Sequence, residues 1–328
     1  MLMKALVVPG YGPPGTFTVE DLPIPEPGPG QLQVRVAAAS LNPADLLMTA
    51  GTVREMVPLD FPFVPGTDAA GTVTKIGPGT RGFEVGEEVF GFGAPPSFAA
   101  GVGIPAVTSG ALAEYATFQA GPFLAKRPPK LSVVTAAALP STGMTGLAVL
   151  ERGRFQPGET VLVIGAPGGI GSVVVPLLAA QCVVLATGTG PDRDYVRGLG
   201  ATEVIDHRGT DLIGEVRRRH PGGIDAVVNL ALTGEAVIAA TRTLRPGGRL
   251  LSTTPGTPAH PAVTTVMGTT DLRPGTMDTL AAHVLDGILP EPATTTHPLS
   301  DAPRALADLA QQHTRGKLVV IVDPAATR

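Results

Sequence analysis

Apolar and polar positions along this chain change their rhythm about a third of the way in. Up to that point they fall in short β-branched runs cut by proline and glycine. Lys4–Val8, Gln33–Ala39, Ala70–Ile76 and Glu88–Phe90 each predict a strand. Pro23–Gly30 (PIPEPGPG) is a rigid connector, and Ser40–Gly51 is a polar turn opening into a short helix at Pro43–Met48. This stretch predicts an irregular β-barrel domain. Leu131–Arg152 then shows helical stretches broken at Pro140 and Gly143. Beyond it strands (Thr160–Ile164, Val183–Thr187, Glu203–Ile205, Ala226–Leu230, Arg249–Thr253) alternate with helices (Gly171–Ala180, Arg193–Leu199, Leu212–Arg219, Gly234–Leu244). Such alternation predicts an α/β fold, a parallel sheet covered on both faces. The tail predicts helices at Met277–Asp286 and Ala302–His313 and a closing strand at Lys317–Val322. No internal repeat is visible. Gly93–Gly110 is a long apolar loop of small residues, read as a lid on a cleft in preference to a partner surface.

Composition narrows the function classes. A chain of 328 residues is comfortable for two domains. Charged residues make up 16% and the net charge is −4, so nothing resembles the basic footprint of a nucleic-acid binder. The single cysteine, Cys182, excludes an internal disulfide and a zinc site built on several thiolates. It adjoins an apolar strand and is expected to be a buried hydrophobe. No apolar run approaches a membrane span without Gly or Pro interruption, and the N-terminus lacks a signal-peptide apolar core. The expectation is a soluble, cytoplasmic protein with neither nucleic acid nor membrane as partner.

The sharpest chemical signal is ETVLVIGAPGGIGSVVV. A strand runs into Ala166-Pro167-Gly168-Gly169-Ile170-Gly171, and a helix follows. This is the dinucleotide fingerprint with Ala166 in place of its first glycine. Gly168 lets the backbone approach a pyrophosphate, and Gly171 allows close helix–strand packing. The helix N-terminus offers free N–H groups and a partial positive charge. The alternative is a purely structural turn. An NAD site calls for an acid at the end of the second strand. Here that strand ends Ala186-Thr187-Gly188, and Asp192 lies beyond a Gly-Thr-Gly-Pro loop. Arg193 beside it can hold a 2′-phosphate bidentately, so the expected cofactor is NADPH rather than NADH. The Asp192-Arg193 pair can equally be helix capping on a solvated face.

An ordered series of segments carries a family resemblance: EPGPGQLQVRVAAASLNPADLL, FVPGTDAAGTVTKIGPGTRGFEVGEEV, GALAEYA, ALPSTGMTGLAVL, the APGGIG turn, LGATEVID, TLRPGGRL and HTRGKLVV. Over nearly its whole length the chain resembles the quinone oxidoreductase (zeta-crystallin-like) branch of the medium-chain dehydrogenase/reductases. The resemblance implies a GroES-like barrel domain (1–124 and 270–328), a Rossmann domain (125–269), and a substrate cleft beside the nicotinamide. Zinc-dependent relatives carry a Cys where this chain has Asn42 and a His where it has Thr67, so the resemblance implies an enzyme without a metal site. It further implies that Asn42 and Asp45 of LNPAD line the nicotinamide end of the cleft. Thr145 of GMTG contacts the nicotinamide side, and Gly188 and His207 face the adenosine phosphate. Relatives commonly pair as homodimers.

Related reductases often carry a tyrosine after Asn-Pro-x-x-Asp; Leu46–Val53 has none, which leaves solvent as proton source. The expected reaction is hydride transfer to a small apolar quinone, enone or α,β-unsaturated carbonyl, with Asn42 or Thr145 hydrogen-bonding its oxygen. A second reading is a nucleotide-binding scaffold, cyclase or accessory protein of a biosynthetic pathway without redox turnover. Simpler roles stand beside the chemical ones. Asn42 can cap the helix at Pro43, and Asp45 can be a structural hydrogen-bond partner. Thr67 and Asp68 can belong only to the turn, Tyr115 to the barrel core, and His207 to the surface.

Overall fold

The computed structural model describes residues 1–94, 109–266, 274–311 and 314–327. The first stretch forms β1 (Leu2–Val7), β2 (Thr18–Pro23), β3 (Gln31–Ser40), α1 (Pro43–Thr49), β4 (Asp68–Ile76), β5 (Glu88–Phe92), β6 (Tyr115–Gln119), β7 (Leu124–Lys126) and α2 (Val133–Ala138). Helix α3 (Pro140–Gly153) leads to β8 (Thr160–Ile164), α4 (Gly171–Ala179), β9 (Val183–Gly188), α5 (Arg193–Gly198) and β10 (Glu203–Asp206). Then come α6 (Leu212–Arg219), β11 (Ile224–Asn229), α7 (Glu235–Ala240), β12 (Leu244–Ser252) and β13 (Val263–Thr265). The tail adds α8 (Thr276–Leu285), β14 (Thr294–Pro298), α9 (Ala302–Gln311) and β15 (Lys317–Ile321).

These elements divide into two compact units. One comprises Met1–Ser141, Leu272–Leu285 and Glu291–Arg328; the other comprises Thr142–Asp271 and Asp286–Pro290. The first is built on a largely antiparallel sheet in the order β14-β15-β3-β4-β5-β7, with β6 also paired to β3 and a β1–β2 hairpin beside it. β3 is the hub. Nine of its ten residues are buried, because neighbours cover both of its faces. Leu32, Val34 and Val36 pack there with Val73, Phe118, Val320 and Leu306. The second unit is a parallel sheet in the order β10-β9-β8-β11-β12-β13. The order reverses beside β8, so the ends of β8 and β11 flank the switch point where such sheets bind ligands. Its strands are apolar on both faces, as in Val161–Ile164, because helices cover each side.

Several local expectations shift. Pro140 does not break a helix but opens one: at the first helical position its missing N–H costs nothing, and α3 runs through Gly143. The predicted helix Gly234–Leu244 ends at Ala240 and gives way to a 3-10 turn, because β12 begins at Leu244. β2, β6, β7, β13 and β14 are short strands that periodicity alone did not mark. Cys182 is buried as expected, its thiol directed at the Gln156 carbonyl at 3.6 Å, and burial pushes that thiol up. Tyr115 is partly buried against Met3, Ala5 and Val7. The core of the predicted Gly93–Gly110 loop (95–108) lies outside the described residues, as do 312 and 313 of the last predicted helix.

Gly146 shows why GMTG carries a second glycine. A Cβ there would stand 2.6 Å from Val173 Cγ1, so α3 and α4 pack closely only without one. G146A should therefore cost about 1–3 kcal/mol by overpacking, read as a lower urea midpoint at unchanged slope.

Candidate active site

The turn between β8 and α4 sits at the switch point. Gly168 N–H bonds Gly165 O at 3.2 Å and Ser172 N–H bonds Gly168 O at 3.0 Å, which folds the turn onto the helix start. Gly171 is held against the incoming strand, and a Cβ there would stand 2.2 Å from Ala166 O. Gly168 differs. The nearest atom its Cβ would meet is Gly165 O at 3.4 Å, so beyond it lies open space. A concave turn of glycines, open in front and backed by a helix N-terminus, fits a pyrophosphate. The sheet register brings the adenosine-side candidates together. Gly188, ending β9, pairs with Asp206, ending β10, and exposed His207 follows directly.

The acid that could signal NAD is withdrawn. Asp192 is 2% exposed and its Oδ2 accepts both the Thr189 N–H (3.1 Å) and the Thr189 hydroxyl (2.6 Å). It serves the capping role, holding the loop after β9. Asp206, which the sequence reading did not single out, keeps one carboxylate oxygen on the Arg208 N–H at 2.9 Å. Arg193 opens α5 and lines a cleft with Arg197, Val204 and Asp206 along β10. Thr145 lies half-buried on α3, one residue before Gly146.

In the other unit a buried polar cluster surrounds Asn42. Asn42 occupies the N-cap position of α1 with extended dihedrals, yet the capping carboxylate is that of Asp45, whose Oδ2 accepts the Asn42 N–H at 2.8 Å. Asp45 Oδ1 accepts the Gly66 N–H at 3.1 Å and so pins the turn carrying Thr67. That turn needs glycine: Gly66 has φ +103 and stands close against Leu112. The Asn42 amide faces inward. Its Nδ2 donates to Thr67 Oγ1 (3.2 Å) and to Asp68 Oδ2 (3.1 Å), and its Oδ1 accepts from Lys317 Nζ at 2.6 Å. Both amide hydrogens expected to reach a substrate are therefore committed within the protein. Asp68 is fully buried and also accepts from the Ser40 hydroxyl (3.1 Å), the Ser141 N–H (3.3 Å) and the Ser141 hydroxyl (2.5 Å).

Burial pushes Asp45 up to about 6, with the Asp68 charge adding to the rise, while the Asn42 and Gly66 N–H groups and Lys317 pull it back. The folded state thus holds a proton that an exposed Asp, titrating at 3.8, has already released. Between those two values the native state binds more protons, so stability falls as pH rises, by roughly 3 kcal/mol in all. Urea unfolding of wild type and D45N checks this. The wild-type midpoint should drop relative to that of D45N from about pH 4 to about pH 6. A difference that stays constant over that range contradicts it.

Comparison with known proteins supplies the family. The alcohol dehydrogenase GroES-like domain pattern matches residues 28–129, and the zinc-binding dehydrogenase pattern matches residues 199–320. A chloroplast envelope quinone oxidoreductase homolog of Arabidopsis thaliana is 30% identical over 340 residues, covering 97% of this chain and 98% of the relative. The chain belongs to the quinone oxidoreductase branch of the medium-chain dehydrogenase/reductases. A quinone oxidoreductase from Coxiella burnetii superposes with a TM-score of 0.86 at 26% identity, covering 98% of this chain and all of that one. An NADPH-dependent alkenal/one oxidoreductase of Arabidopsis thaliana is 30% identical over 260 residues, 75% of this chain and 64% of that protein. The protein is thus a medium-chain oxidoreductase using a nicotinamide cofactor, with a GroES-like and a Rossmann-like domain. Among the described residues no three of His, Cys, Asp and Glu cluster as metal ligands, and no helix is long and apolar enough to cross a membrane. The family pieces VPGTD and HTRGKLVV meet in the Asn42 cluster. Thr67 and Asp68, weighed in the sequence as turn residues, join the cluster, and Lys317 is the member that the sequence did not single out.

Proposed function

We propose that this protein is an NADPH-dependent reductase of small apolar quinones, enones or α,β-unsaturated carbonyls, acting without zinc. The observation that carries the cofactor half is Asp192, locked by Thr189, while Gly188 ends β9, Arg193 opens α5 just beyond the loop and His207 follows β10. With Asp192 spent on its own loop and Asp206 keeping one oxygen on the Arg208 N–H, the arginine beside them favours a 2′-phosphate as partner. Gly168–Gly171 would hold the pyrophosphate on backbone N–H groups, and the bound cofactor supplies a hydride.

Absence of zinc is argued from the donors present. Where a metal ligand set would stand, the chain has an amide and a hydroxyl already bonded to each other, with an ammonium beside them. Such a set provides no thiolate or imidazole to bind a dication, and the one carboxylate beside it, Asp68, already serves Lys317, Ser40 and Ser141. The protein's part is then to orient and to donate hydrogen bonds as charge develops on the substrate oxygen. The names of the relatives, quinone and alkenal/one oxidoreductases, support this substrate class, as does the apolar run Leu46–Met48. On this reading the enzyme pairs as a homodimer, which sedimentation velocity tests.

The test is steady-state oxidation of NADPH with a panel of quinones and enones, with and without a chelator. Turnover unchanged by the chelator is expected, and a rate restored only by zinc contradicts the metal-free reading. Calorimetry should show NADPH binding about tenfold or more tighter than NADH, a gap of about 1.4 kcal/mol. R193A should close most of that gap while leaving NADH affinity unchanged; equal loss for both cofactors would assign Arg193 a structural role.

A further inference from the structure

β11 is apolar until its end. Ile224, Ala226, Val227 and Val228 are buried in the two apolar layers that flank the sheet. The strand then closes on Asn229, which is fully buried as well. A buried amide is costly unless its polar atoms are paired, and this one is paired at both ends. Its Oδ1 accepts the Leu232 N–H at 2.8 Å and the Ala231 N–H at 3.3 Å. Its Nδ2 donates to Leu232 O at 2.9 Å, to Ser252 Oγ at 2.9 Å and to Thr254 Oγ1 at 3.2 Å. The main chain of Leu232 is therefore gripped at its N–H and its carbonyl, as a neighbouring strand would grip it. The Thr254 hydroxyl adds a third bond, to Leu232 O at 2.7 Å. Asn229 thus ties the loop after β11 to the end of β12.

The place of that loop gives the clamp its meaning. Leu230 N–H bonds Ile164 O at 2.9 Å, so the loop departs beside the last residue of β8. A Cβ on Gly165 would stand 3.0 Å from Ala231 Cβ and 3.3 Å from Leu230 Cβ. Leu230 and Ala231 are thus a wall against the start of the phosphate turn, at the switch point between β8 and β11. In such a sheet β8, β9 and β10 make one mononucleotide-binding half, and β11, β12 and β13 make the other. Turn, loop and both halves belong to one compact unit.

We propose that Asn229 is a positioning residue for the cofactor: it holds loop 230–232 in the shape that receives the nicotinamide half. The proposal rests on the nicotinamide-cofactor part of the reading above. Without the amide, Ala231 and Leu232 lose the bonds that fix their peptide groups. The loop then takes several shapes, and a ligand must order it on binding, which costs affinity. The adenosine half belongs over β9 and β10, away from this loop, so its binding is spared. Asn229 itself touches no ligand in this account; it acts through Leu230 and Ala231.

Calorimetric titration of wild type and N229A with two ligands tests the proposal: whole NADPH, and adenosine 2′,5′-bisphosphate, which carries the adenosine half alone. N229A should bind NADPH about 20-fold more weakly than wild type, and the bisphosphate within about twofold of it. T254V, which removes one of the three bonds on Leu232, should lose about threefold on NADPH and nothing on the bisphosphate. A merely structural role would disturb the sheet and the phosphate turn with it, and so would weaken both ligands alike. Equal losses for the two ligands overturn the proposal, and so does an N229A protein that binds NADPH like wild type. Should N229A fail to fold, T254V decides by the same comparison. A wild type that binds the bisphosphate as tightly as NADPH gives the nicotinamide half no site and overturns the proposal. A loss confined to NADPH upholds it even if no quinone or enone is reduced, so failure of the reductase reading is seen separately.

Discussion

G168A should fold normally and lose NADPH affinity by about 100-fold, close to 2.7 kcal/mol, whereas G171A should lose affinity and stability together. The two glycines stand three residues apart in one turn, but their surroundings differ. A methyl on Gly168 projects into open space, with nothing nearer than Gly165 O at 3.4 Å, so the protein has no reason to move. The cost arises only when a pyrophosphate must approach the backbone there. A methyl on Gly171 would stand 2.2 Å from Ala166 O and 2.6 Å from Ala166 C, both main-chain atoms of the strand end. No side chain can swing aside, so the turn must open. Calorimetric titration with NADPH, paired with thermal unfolding, separates the cases. A G168A protein that binds NADPH like wild type would mean that the cofactor does not lie on this turn.

The second large effect lies in the other unit. Removing the Asp68 carboxylate should destabilise the protein by about 3–5 kcal/mol, since it leaves the Lys317 ammonium buried without its counter-charge. D68A also strips an acceptor from Ser40, Asn42 and Ser141. D68N/K317M removes both charges and keeps a polar group among those donors, so it should recover most of the loss. Isolated buried charges are costly, whereas neutral pairs of similar shape are tolerated. Urea unfolding of the single and double variants measures the coupling. If the double variant is less stable than D68N by as much as K317M is less stable than wild type, the pair is not coupled and the ion-pair account fails.

The parts of this site that the sequence exposed are those whose constraint is local. The APGGIG turn is legible because strand, turn and helix are contiguous and each glycine answers to a neighbour within a few residues. The parallel sheet is legible because burial on both faces leaves continuous apolar runs. β7 and β13 are only three residues long, and β14 (TTTHP) is mostly exposed, so none of the three leaves a period to detect. The Asn42 cluster is the hardest case. LNPAD and VPGTD mark Asn42, Asp45 and Thr67, but the residue that turns the Asn42 amide lies 275 positions later. In the sequence Lys317 reads as an ordinary polar start to a strand. The one available hint is that the strand it opens, LVVI, is otherwise wholly apolar. Asp192 shows the converse. It follows the second strand, near where an NAD site calls for an acid, and the Thr189 bonds show that it is spent on its own loop.

The central claim is that this chain transfers hydride from NADPH to an apolar acceptor without zinc. Its most direct test is turnover in chelated buffer with NADPH carrying deuterium at the transferring position of its nicotinamide, followed by mass analysis of the product. The account predicts a product that has gained one deuterium on carbon, at a rate the chelator does not change. NADPH bound tightly on calorimetry, with no deuterated product from any quinone or enone of the panel, would contradict it and leave a nucleotide-binding scaffold in its place.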